Sequence, residues 1–66
     1  MTRADVSREL NRLGLHLTAQ RAMNGAPSES IRQTLMRIAA DESGHPEQRK
    51  ACKRLSRSIA MRVGDW

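Results

Sequence analysis

Arg49, Lys50, Lys53, Arg54 and Arg57 recur at spacings of three and four residues, which on a helix turning about 100° per residue gathers them into one broad arc. The chemistry open to such an arc is recognition of anions, because permanent positive charges on long side chains neutralise phosphates or carboxylates. The 22 residues from His45 to Trp66 hold six of the twelve Lys and Arg residues but only two of the seven acids, a local balance of +4 in a chain of +5. Those two acids, Glu47 and Asp65, stand near the ends of the segment. Ordinary helix surfaces mix signs, so an arc of one sign points to an acidic partner; simple solvation is the plainer alternative. Cys52, Leu55, Ile59, Val63 and Trp66 fall on the opposite side and supply an apolar inner face.

Among acidic partners, nucleic acid is favoured over protein, and a duplex over a single strand. Single-strand binders stack bases on aromatic side chains, whereas this chain has no Phe or Tyr and a single Trp, its last residue. Ser56 and Ser58 can donate to phosphate oxygens or remain solvated helix positions. Gln48 is the one amide in the segment suited to adenine, although the arginines can reach guanine. The general layout of a helix-turn-helix is present, without a specific signature for it.

Other chemistry finds little support. Cys52 reads as a small core residue, since a redox role would require exposure beside Arg49 and Lys53. His16 and His45 lie 29 positions apart, and neither has a ligand partner at a convincing spacing, so no metal site is expected. There is no phosphate-cradling loop and no paired-carboxylate constellation, which leaves a non-enzyme without a cofactor.

A second surface competes with the first. Ala4, Leu15, Ala19 and Ala22 share one side of the N-terminal segment, opposite the stripe of Val6, Leu10, Leu13 and Leu17, and Arg8 and Arg12 flank them. A helix apolar on two sides is normally covered on two sides. This strip can therefore pair with a second copy or a partner protein, or be covered by the chain's own last helix.

Three helices are needed to position these residues. Asn24-Gly25-Ala26-Pro27 and Ser43-Gly44-His45-Pro46 each place a Gly where a helix can end and a Pro where the next can begin. The expected helices are 3–24, capped by Thr2 with Asp5 in a capping box; 29–42, capped by Ser28; and 46–63, released by Gly64. Gly14 falls inside the first, where it either allows close helix approach or is merely tolerated. Ile31, Leu35 and Ile38 form the buried row of the second, with Met36 off it. Short loops favour antiparallel neighbours, so the expected architecture is an all-α, compact three-helix bundle in one domain, residues 1–66.

So short a chain buries only about 60% of its unfolded surface, and one cysteine makes no internal disulfide, so dimerisation through the first helix is expected. The absence of an apolar run of about 20 residues and of a signal-peptide core predicts a cytoplasmic protein, with a membrane surface the least supported partner. The functional expectation is a small regulatory binding protein presenting its basic last helix to an acidic macromolecule, duplex nucleic acid first. The alternative is a helical modulator or inhibitor, of the phage- or plasmid-encoded accessory type, docking on a host protein complex through its first helix and basic face.

Overall fold

The computed structural model describes residues 2–61, and these form four helices: α1 (Arg3–Arg12), α2 (His16–Met23), α3 (Ser28–Ala40) and α4 (Pro46–Ala60). The all-α class stands. The expected continuation of the last helix to Val63, its release at Gly64 and the inner-face positions Val63 and Trp66 lie outside the described residues.

The three-helix scheme is corrected at Gly14. The expected helix over residues 3–24 is two helices, because Gly14 takes the left-handed conformation at φ +81° and turns the chain back. The Gly14 N–H donates to the Asn11 carbonyl at 3.1 Å and the Leu15 N–H to the Leu10 carbonyl at 2.8 Å, which is a Schellman closure. Gly25, at φ +106°, repeats the device at the end of α2: its N–H donates to the Ala22 carbonyl and that of Ala26 to Arg21. The start of α1 follows expectation. Thr2 Oγ1 accepts from the Asp5 N–H at 3.2 Å, and Asp5 Oδ2 accepts from the Thr2 N–H at 3.0 Å.

The break reassigns the second apolar face. With α2 folded back on α1, Ala19 and Ala22 turn inward and are 1% and 0% exposed, while Leu17 is 79% exposed. Leu17 would have continued the stripe of Val6 and Leu10 only on an unbroken helix. The antiparallel course of α1 and α2 is tied by polar contacts at mid-helix and at the end away from Gly14. Ser7 Oγ donates to the Ala19 carbonyl at 3.2 Å, and the Arg3 guanidinium donates to the carbonyls of Ala22 and Ala26 beyond it. A cation on the last carbonyls of α2 also complements its helix dipole.

α3 and α4 form a second antiparallel hairpin. Near the connecting loop Ala39 lies beside Pro46 and Arg49; further along, Met36 lies beside Lys53, Ser56 and Arg57. α3 starts one residue earlier than expected, with Pro27 rather than Ser28 in the N-cap position, and ends at Ala40. Deviations of this size are ordinary at helix ends. Arg21 joins the hairpins, donating to Ser30 Oγ at 2.7 Å and Thr34 Oγ1 at 3.3 Å.

Every helix contributes to one aliphatic core: Val6 and Leu10, Ala19 and Ala22, Ile31 and Leu35, then Cys52, Leu55 and Ile59. Leu15, Ile38 and Ala39 pack partly against it. The Cα radius of gyration is 10.7 Å, close to the roughly 10–11 Å of a well-packed chain of this length. Leu17, Met23, Met36 and Met61 remain exposed outside this core.

Candidate interface for an acidic partner

α4 separates its two faces sharply. Cys52, Leu55, Ser56 and Ile59 are buried, while Lys50, Lys53, Arg54 and Arg57 are exposed. At the helical repeat the four cations occupy an arc of about 100° on the side away from the buried row, spread over about 10 Å of axis. Among the described residues, none of their side chains has an acid within ion-pairing distance or a hydrogen-bond partner.

Most other cations are engaged. Arg8 lies 3.8 Å from Asp5, Arg12 3.3 Å from Glu9, and Arg32 grips Glu29 through two nitrogens at 2.8 and 2.5 Å. Arg3 and Arg21 hold the hairpins together as described. Arg37, on α3, is exposed as well.

Arg49 does not belong to the free arc. Its half-buried side chain passes beside Gly44, and its Nε donates to the Ala39 carbonyl at 3.1 Å, closing the end of α3. Ser56 also drops out as a phosphate donor, since it is buried and its Oγ donates to the Lys53 carbonyl at 2.8 Å. Ser58 is exposed, with its Oγ donating to the Arg54 carbonyl at 3.3 Å. Gln48 is turned inward as well: its Nε2 donates to the Leu13 carbonyl at 2.9 Å and satisfies the cap of α1.

Acidic residues collect at the start of α4. Asp41 and Glu42 precede it in the loop, Glu47 sits in its first turn, and all three are exposed. The Ser43 hydroxyl, at 2.7 Å, and the Ser43 N–H, at 3.0 Å, hold the Asp41 carboxyl below its ordinary range, with a smaller contribution from the Arg49 charge. His45 is the N-cap, its Nδ1 accepting from the Glu47 N–H at 3.3 Å.

The proposed self-association strip is not brought together. Ala19 and Ala22 are core, and Leu15 is half-buried against it; Ala4, Arg8 and Arg12 are exposed on α1. The reason is again the reversal at Gly14, which places the two halves of the strip on different helices.

Two open grooves flank α4. Met36, Ala39 and Ala40 face Lys53 and Arg57 across one, and Met36 is 52% exposed there. The other, between α1 and α4, brings Arg12 and Glu9 beside Arg54. Helical periodicity places Met36 off the buried row, but the groove beside it arises only from the pairing of α3 with α4. The structural roles of Arg3, Arg21, Gln48 and Arg49 carry no local signal, since each reaches a carbonyl or hydroxyl distant in sequence.

Cys52 lies fully in the core, and burial pushes its thiol above the ordinary range, which makes it a poor nucleophile. His16 bonds through Nδ1 to Asn11 Oδ1 at 2.9 Å on the surface. Among the described residues, no three His, Cys, Asp or Glu side chains gather as metal ligands would, and no helix is long and apolar enough to cross a membrane. Comparison with protein-family models, curated proteins and solved structures finds no match to this chain.

Proposed function

We propose that the protein is a small, non-enzymatic regulatory binding protein that presents the outer face of α4 to an acidic macromolecule, duplex nucleic acid first. One observation carries this reading: Lys50, Lys53, Arg54 and Arg57 are exposed and without anionic partners among the described residues, while five arginines elsewhere are tied into the fold. A cluster of uncompensated charge destabilises a fold slightly and is useful to a binding surface. The absence of Phe and Tyr supports a duplex over a single strand. A cytoplasmic setting goes with this reading, supported by a single buried free thiol.

The decisive variant replaces Lys50, Lys53, Arg54 and Arg57 together by Gln. Arg49 is left intact because it closes α3 onto α4. Helix propensity hardly changes, so circular dichroism should be preserved. Duplex binding at low salt, followed by fluorescence anisotropy, should be nearly abolished; undiminished binding by the folded variant would remove the assignment.

A second reading draws on the α3–α4 groove, where half-exposed Met36 and the small Ala39 and Ala40 adjoin Lys53 and Arg57. That combination suits an acidic amphipathic protein segment, apolar on one side and anionic at its rim. Met36→Lys separates the two readings. It should spare or strengthen duplex binding and eliminate docking of such a segment.

A further inference from the structure

Resting on the duplex reading of α4, we infer that the protein docks side-on through the middle of α4, contacts phosphates only, and binds duplexes without regard to sequence. A helix that reads bases commonly brings its N-terminal residues to the base edges in the major groove. In this protein that end of α4 is acidic, with Asp41 and Glu42 in the preceding loop and Glu47 in the first turn, all exposed. Arg49, the first cation of α4, is held by the Ala39 carbonyl at 3.1 Å. Phosphates flanking a groove would be repelled by this end.

The groups that read bases are also withdrawn. Gln48, the only amide on α4, has its Nε2 engaged by the Leu13 carbonyl at 2.9 Å, and Ser56 is buried. The middle of the outer face carries only Lys50, Lys53, Arg54 and Arg57 as polar groups with reach. A duplex offers about one phosphate charge per 1.7 Å of its axis, so a strip of about 10 Å meets enough of them to engage all four cations. Two of the four are lysines, which act as point charges and suit phosphates better than base edges.

The test uses the full chain with labelled duplexes of unrelated sequence, titrated at several salt concentrations. Affinities should agree within about twofold across sequences, and the slope of log affinity against log salt should lie near −3.6, about 0.9 per contact. The double variant K53Q/R57Q should reduce that slope to about −1.8. R54K/R57K keeps the charge but removes the planar fork that pairs with guanine, and should leave affinity within about threefold on every duplex. Preference for one sequence by about tenfold or more, lost in R54K/R57K, would overturn this inference while leaving the duplex reading intact. A slope steeper than about −5 or shallower than about −2 in the parent would overturn the four-contact footprint. No binding to any duplex by the folded parent at low salt would overturn the inference and the reading beneath it together.

Discussion

α1 and α4 are both arginine-bearing amphipathic helices, yet their outer faces are opposite in kind. On α1, Asp5 precedes Arg8 and Glu9 precedes Arg12, each by three residues, and both pairs close into ion pairs. On α4, no acid follows Glu47 within the helix, so Lys50, Lys53, Arg54 and Arg57 have no later acid of their own helix to close on. Exposed pairs add little to stability, so the difference concerns the surface field rather than the strength of the fold. The position of the acids, not the number of cations, decides which of the two outer faces is neutralised from within its own helix.

The inner faces of the two helices are alike, with Leu10 and Leu55 both in the shared core. Leu10→Ala and Leu55→Ala should therefore each cost about 2–5 kcal/mol in chemical denaturation, as both side chains are buried in the shared core. A negligible loss for Leu55 alone would break the comparison, because α4 would then be only loosely seated.

A smaller effect separates the cations themselves. Arg3→Met removes donors from the Ala22 and Ala26 carbonyls and should destabilise by about 1–3 kcal/mol without altering duplex affinity. Arg54→Met should do the reverse, shifting stability by less than about 0.5 kcal/mol while weakening duplex binding. If both variants behaved alike in both measurements, the division between structural and free cations would be wrong.

Glu9→Gln tests the role of the acids directly. It releases Arg12, which shares the α1–α4 groove with Arg54. The freed guanidinium lies beside the α4 arc, so the salt slope for duplex binding should steepen by up to about 0.9. An unchanged slope would confine the footprint to α4 and show that pairing on α1 does not limit it.

These contrasts were only partly legible in the sequence. The buried Cys52, Leu55 and Ile59 of α4 and the Thr2–Asp5 box follow from local periodicity and capping, and the structure agrees on each, whereas of the five-residue arc only Lys50, Lys53, Arg54 and Arg57 are exposed. The start of α4 at Pro46 is equally local. Gly14 escaped recognition because Leu13 and Leu15 on either side keep an apolar pattern running and no Pro follows, whereas Gly25 is marked by Asn24 and Pro27. That one missed turn carried the error about Ala19 and Ala22, since a reversal changes which residues share a side. Arg49 was assigned to the arc because spacing along α4 says nothing about where α3 ends. Its partner, the Ala39 carbonyl, exists only after the hairpin forms.

The smallest predicted effect is the acid sensitivity of the ordered carboxylates, and it too divides the molecule. Asp5 is held below its ordinary value of 3.8 by the Thr2 N–H and hydroxyl, and Glu29 below 4.5 by Arg32; Asp41 is lowered by Ser43. A carboxyl lowered in the folded state favours folding at pH values above its unfolded value, and that contribution disappears as pH falls through the folded one. Thermal midpoints should accordingly be level between about pH 7 and 5 and decline below about pH 4. Asp5→Asn with Asp41→Asn should flatten the acid limb, leaving the share from Glu29. None of these three carboxyls lies on the outer face of α4. Duplex affinity measured on the folded protein should therefore stay constant from about pH 7 to 5. A loss of affinity within that window, with stability unchanged, would mean that a titrating group takes part in the interface and that the α4 cations do not act alone.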